Sequence, residues 1–138
     1  MAKLTEQDIM NWDEKTSPYM NPDHLAFFKE RLQILQKELL SNADATTDYL
    51  KGQNATPDPV DRATLEEEYA LELRARDRER KLLLKIQSAL QRIEENRYGY
   101  CEDTFEPIGM KRLLARPTAT LSVEAQERRE LIKRQYAD

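Results

Sequence analysis

TLEEEYALELRARDRERKLLLKIQSALQRIEENRYGY, residues 64–100, contains no proline, and its first glycine is Gly99. Leu65, Tyr69, Leu73 and Arg76, then Leu83, Ile86, Leu90 and Ile93, recur at steps of three and four with one seven-residue gap. Such spacing draws one stripe along a long helix, with charged residues on its other faces. The middle, Arg76 to Arg80, is polar. The pattern predicts a helix that begins near Asp61 and is ended by Gly99.

Upstream, NPDHLAFFKERLQILQKELL (21–40) repeats the arrangement. Asn21 followed by Pro22 is a strong helix start, a capping side chain and then proline at the first helical position. Leu25, Phe28, Leu32, Leu35 and Leu39 form a heptad seam. The seam thins into SNADATTDYLKGQNATPDPVD (41–61); Tyr49 can continue it, while Gly52, Asn54, Pro57 and Pro59 break it. Two long helices joined by a short broken segment fold back most simply as an antiparallel pair. The expectation is a mainly all-α protein: a long antiparallel coiled-coil hairpin over residues 21–97, with its tip loop at about 52–62. At about 1.5 Å per residue, thirty residues of such an arm reach roughly 45 Å.

Beyond Gly99, Pro107, Gly109 and Pro117 set turns, and Ser122 can cap a last helix, VEAQERRELIKRQY, with Glu124 in its first turn. Residues 98–138 therefore read as a small globular module plus a C-terminal helix. At the other end, Thr5 can cap a short helix through Trp12, with Ile9 and Trp12 on one side, until Pro18 ends it. Residues 1–20 are expected to pack on the module and lend it Trp12 or Ile9.

The bulk numbers agree with long solvated helices. Of 138 residues, 35% are charged and 39% hydrophobic, which suits narrow seams better than a large core. Net charge is −4 with acids and bases interleaved, so electrostatics do not predict binding to free nucleic acid. No apolar run approaches the ~20 residues of a membrane span, and MAKLTEQDIMNW lacks the apolar stretch of a signal peptide. A cytoplasmic protein is expected. One cysteine allows no internal disulfide.

Two short stretches carry the chemistry. The first is the tip, PDPVDRA (57–63), in which Asp58 and Asp61 flank Pro59 and Val60. From spacing alone it reads as a helix entry, with Asp61 capping and Asp58 accepting backbone N–H bonds in the turn. Alternatively, proline holds two carboxylates at the end of a rod, where they can reach a cation, an arginine or a metal in a narrow cavity. Acid–base catalysis is disfavoured there, because an exposed loop offers no pocket and no nearby histidine. The second stretch is GYCEDTFEPIGMKRLLARPTATLSVEA (99–125), shaped like a small metal knuckle around Cys101, with Thr104 where a partner thiol would stand.

DPVDRA (58–63), EEEYALELRARDRERK (66–81) and YGYCEDTFEPIGMKRLLARPTA (98–119) together resemble the DksA family of bacterial RNA polymerase regulators. The similarity is dense from about Asn21 to Thr120. It implies a non-enzymatic factor, acting as a monomer, that enters the secondary channel of RNA polymerase, brings its coil tip near the active centre and alters open-complex stability together with the alarmone ppGpp in the stringent response. Ribosomal RNA promoters are repressed by such factors, and direct sequence-specific DNA binding is not expected. By resemblance, Asp58, Asp61 and Ala63, with Arg62 between them, fall on tip positions needed for activity. Arg74, Arg78 and Leu82 fall on the positions that meet the channel rim. Their spacing of four puts them on one helix face; from the residues alone, the two arginines read as a solvated face paired to Glu72 and Glu79. Lys85, Arg112 and Arg116 map to the basic positions at the ppGpp and polymerase interface, and guanidinium and ammonium groups both suit phosphate oxygens. Gln126 stands where family members that use the alarmone carry a lysine, which implies a weakened response.

Zinc-bearing relatives carry four cysteines in this module, and those positions here read Cys101, Thr104, Ser122 and Ala125. Structural zinc takes four ligands, usually thiolates or imidazoles, so no metal is expected, and the pattern resembles the zinc-free DksA paralogue described in pseudomonads. Zinc contributes roughly ten kcal/mol or more of apparent folding free energy to small finger peptides. Phe105, Ile108, Met110, Leu113, Leu114, Leu121, Val123 and Leu131 are the apolar side chains expected to compensate, at about 1.5–3 kcal/mol each. Thr104 and Ser122 are expected to hydrogen-bond where metal would sit, and Cys101 to become a small buried apolar residue. Two other readings stay open: a transcript-cleavage factor of the same channel, whose tip acids hold a second magnesium, and a helical-hairpin adaptor or chaperone.

Overall fold

In the computed structural model the backbone is described at residues 3–52 and 59–137 and the side chains at 3–42 and 62–136. Five helices follow in order: α1 (Glu6–Met10), α2 (Pro22–Gly52), α3 (Pro59–Glu94), α4 (Met110–Ala115) and α5 (Val123–Ala137). Among the described residues there is no strand, only an isolated antiparallel bridge between Tyr100 and Pro107. The mainly helical class read from the sequence is the one observed.

Local chemistry explains most helix ends. Thr5 caps α1 by accepting from the Asp8 N–H, and the Asp8 carboxylate accepts from the Thr5 N–H in return. The helix ends at Met10, before Trp12. Asn21 caps α2, its side-chain oxygen accepting from the His24 N–H at 3.0 Å. The start of α3 differs from expectation. The helix begins at Pro59, because proline at the first helical position loses no hydrogen bond and already has a helical φ. Asp61 therefore lies inside the first turn and is not the cap. Asp58, and the side chain of Asp61, lie outside the described residues. α3 also stops earlier than Gly99: it ends at Glu94, and Asn96 turns the chain with a left-handed φ of 59°.

The chain forms two units, residues 1–32 with 87–138, and residues 33–86. The first holds most of the described core. There the first turns of α2 lie beside the last turns of α3: Lys29 Nζ is 3.0 Å from Glu94 Oε1, and the rings of Phe28 and Tyr98 pack 5.5 Å apart. Phe28, Leu32, Ala89, Ile93, Leu113 and Leu121 are buried in this unit, and α1 packs on α4 through the buried Ile9. In the second unit the only buried side chains among the described residues are Leu39 and Ile86. That sparseness follows from a composition of alternating Glu and Arg along α3, which leaves a stripe and no thicker core.

Candidate functional site

The knuckle around Cys101 is a closed turn. The Cys101 N–H donates to the Glu106 carbonyl (2.8 Å), and the Phe105 N–H donates to the Cys101 carbonyl (2.9 Å). The Glu102 N–H donates to the Thr120 carbonyl (2.9 Å) and joins this turn to the segment that enters α5. The side chain of Cys101 is 1% exposed. It is the small buried residue that the sequence reading expects. Burial pushes its pKa up, but the Thr104 hydroxyl and the backbone N–H groups of Ser122, Thr104 and Asp103 outweigh burial and bring it down to about 7.

The remaining knuckle positions do not complete a metal site. The Ser122 hydroxyl accepts from the Ala125 N–H at 3.2 Å and caps α5. Thr104 Oγ1 accepts from the Glu106 N–H at 3.4 Å. Ala125 places a buried methyl group where a ligand would be needed. Among the described residues no cluster of three or more His, Cys, Asp or Glu side chains could hold an ion. One thiolate, two engaged hydroxyls and a methyl do not fit the four-ligand set of structural zinc.

An aromatic clasp from the N-terminal segment closes the module. Tyr19 Oη donates to the Gly99 carbonyl (2.8 Å) and accepts from the Gly109 N–H (3.0 Å), joining the strand of chain that enters the knuckle to the one that leaves it. Burial raises the Tyr19 hydroxyl to about 12, so it keeps its proton at neutral pH. Its ring packs 5.5 Å from both Trp12 and Tyr100, and Trp12 stands edge-on to the buried His24 at 5.8 Å. Burial also lowers the His24 pKa, against the pull of Asp23, and its Nδ1 has no partner. The Trp12 indole N–H donates to the Ser17 carbonyl and hydroxyl, both at 3.1 Å. Gly99 has φ 91°, and a Cβ there would stand 2.7 Å from Met20 Cγ, so glycine is required on both counts. Tyr19 was missed in the sequence, where only Ile9 and Trp12 were expected to serve the module. A tyrosine two residues before Asn21-Pro22 carries no periodicity to expose it.

The apolar list is corrected too. Ile108, Met110, Leu113, Leu114 and Leu121 are buried, but Phe105, Val123 and Leu131 are exposed. Tyr98 takes over much of the filling. It is fully enclosed, and its hydroxyl donates to the Pro117 carbonyl at 2.7 Å. α5 joins the module through Ala125 and through Arg129, which grips Asp103 by Nε (2.8 Å) and Nη2.

Of the basic candidates, Arg112 in α4 is half-buried with its Nε enclosed and unpartnered, Arg116 just beyond α4 is exposed, and Gln126 in α5 donates to Glu130 at 3.1 Å. These belong to one unit. Lys85 is exposed and belongs to the other. In that second unit Arg62 and Ala63 are exposed in the first turns of α3. Arg74 and Arg78 are exposed, with Leu82 half-buried on the same face. Neither arginine pairs with Glu72 or Glu79 among the described residues, whereas Arg80 pairs with Asp77 at 3.1 Å. Arg92 was not anticipated. It is buried, reaches Glu102 at only 3.7 Å, and leaves its Nε and Nη2 unpartnered. Burial lowers its pKa more than Glu102 restores it.

No helix among the described residues is long and apolar enough to cross a membrane. A mainly helical chain with two long helices and a small knuckle around a single cysteine is the class that these observations define. The comparisons supply the family. Residues 24–93 match the family model for the DnaK suppressor protein DksA N-terminal domain, and residues 96–131 match the prokaryotic dksA/traR C4-type zinc finger. The chain is 50% identical over 122 residues to the RNA polymerase-binding transcription factor DksA of Caulobacter vibrioides, covering 88% of this chain and 86% of that one. It is 44% identical over 120 residues to the protein of that name from Escherichia coli K12, covering 86% and 80%. The solved structure of transcription factor DksA2 from Pseudomonas aeruginosa superposes with a TM-score of 0.84 at 38% identity, covering 94% of this chain and 98% of that one. The chain belongs to the DksA family. The match to a C4-type finger covers a segment in which Cys101 is the only cysteine.

Proposed function

We propose that this chain is a transcription factor that binds bacterial RNA polymerase at its secondary channel and works without zinc. The observation that carries the reading is the 44–50% identity to RNA polymerase-binding transcription factors across most of both chains. In this reading Asp58 and Asp61, with Arg62 and Ala63, form the tip that approaches the active centre and biases its conformations. Arg74, Arg78 and Leu82 meet the channel rim. Their shared, exposed face, without ion pairs to the neighbouring glutamates, supports that role. Lys85, Arg112 and Arg116 bind the phosphates of ppGpp at the interface with polymerase. Gln126 contributes a hydrogen bond but no charge, so the alarmone strengthens the effect less than it does where a lysine stands there.

Zinc independence has its own support. The knuckle lacks three of its four thiols, Ser122 is committed to a helix cap, and buried apolar groups with the Tyr19 clasp hold the module. The factor would thus keep working when zinc is scarce or thiols are oxidised. The tip reading is tested by the lifetime of open complexes on a ribosomal RNA promoter. Asp61→Asn is expected to bind polymerase nearly as wild type does and to lose the effect on lifetime. A variant that shortens the lifetime as well as wild type does removes the tip from the mechanism. A stalled complex cleaved faster in the presence of the wild-type chain would favour the cleavage-factor reading.

A further inference from the structure

Phe105 is the least expected residue of the knuckle. Its backbone is left-handed, with φ 61°, a region in which a bulky side chain is disfavoured and glycine is at ease. The ring gives folding little in return, because Phe105 is 81% exposed. The loop that carries it is fixed: Phe105 N–H to the Cys101 carbonyl, Cys101 N–H to the Glu106 carbonyl, and the bridge between Tyr100 and Pro107. An aromatic ring with two rotatable bonds on a rigid turn loses little entropy when it is bound.

The loop is joined to α5 through one ion pair. Asp103, two residues before Phe105, is gripped by Arg129 of α5. Three and seven residues after Arg129, on the same face of α5, are Ile132 and Tyr136, both exposed, Tyr136 at 87%. Glu106, next to Phe105 in sequence, is exposed, as is Glu102, whose carboxylate lies 3.7 Å from Arg92. Acidic flanks disfavour a nucleic-acid backbone and complement a basic protein surface.

We propose that Phe105 is a binding anchor, inserted into an apolar socket bordered by lysine or arginine side chains on RNA polymerase, with the Ile132 and Tyr136 face of α5 covering the rim of the contact. The identity of the partner rests on the polymerase reading above; the anchor itself rests on the exposed ring held on a fixed left-handed turn. It is a contact of the knuckle, separate from the tip acids and the arm arginines.

Phe105→Gly separates binding from folding, because the left-handed backbone suits glycine. The variant is expected to melt at the wild-type temperature or above it and to bind purified RNA polymerase about tenfold more weakly. Phe105→Trp is expected to keep binding. Equal affinity for Phe105→Gly and wild type overturns the anchor. So does a loss of affinity accompanied by a lower melting temperature, which would mark a structural residue. Self-association of the wild-type chain in sedimentation that Phe105→Gly abolishes would assign the ring to a second copy, and also overturns it. Wild type failing to bind polymerase removes the parent reading and the anchor together, and is distinguishable because the loss precedes any substitution.

Discussion

The two units of this chain spend their side chains differently. In residues 1–32 with 87–138, groups such as Phe28, Tyr98 and Leu113 are enclosed, and the Tyr19 and Tyr98 hydroxyls bond backbone carbonyls far away in sequence. In residues 33–86, the described part offers Leu39 and Ile86 as buried side chains, and most of its charged residues and several apolar ones, Leu71 and Leu84 among them, are exposed. The difference teaches where stability and recognition reside. Substitutions of buried side chains in the first unit should act through folding, and substitutions at exposed positions, Arg74 and Arg78 of the second unit or Phe105 of the first, should act through binding.

The strongest challenge to that division is Phe28→Ala. Phe28 is 0% exposed and packs on Tyr98 and Phe27. Its truncation is expected to cost about 3–5 kcal/mol in denaturant unfolding. A loss below about 1 kcal/mol would mean that the base is not the stabilising unit. Tyr19→Phe sharpens the claim that the clasp helps replace a metal. It removes a donor to Gly99 and an acceptor from Gly109, and is expected to lower stability by about 1–3 kcal/mol. Unchanged unfolding would show that the clasp is ornamental. The smallest effect on folding is expected for Arg74→Ala with Arg78→Ala, within about 0.5 kcal/mol of wild type. Those two substitutions should nevertheless weaken binding to polymerase. A destabilised double variant would show that the arm arginines serve the fold.

The long helices were legible because their information is periodic. The seam from Leu25 to Leu39, the proline after Asn21 and the stripe through Ile86 and Ile93 each state a local rule for a helix, and α2 and α3 form where they stand. The caps at Thr5 and Ser122 were legible because the accepting side chain and the donating backbone N–H lie within one turn. What stayed hidden depends on contacts distant in sequence. The Tyr19 bridge spans 80 and 90 residues to Gly99 and Gly109. Phe105, Val123 and Leu131 look like core candidates by composition, yet the space in the module is already filled by Tyr98, Met20 and Ile9. Asp61 read as a cap because aspartate is common there, and Pro59 won because its ring favours the first helical position. In the candidate site, residue identity was readable, including the missing ligand set. The backbone N–H groups that help lower the Cys101 thiol pKa were not, because sequence does not distinguish them, whereas the Thr104 hydroxyl was expected to hydrogen-bond there.

The central claim is that a DksA-family factor can act on polymerase with a knuckle held by side chains and not by an ion. The most direct measurement is the lifetime of open complexes at a ribosomal RNA promoter, with the chain first stripped by a strong zinc chelator and polymerase supplied intact. The account predicts that stripped and untreated protein shorten the lifetime equally. An effect that disappears on stripping and returns when zinc is added back would contradict it.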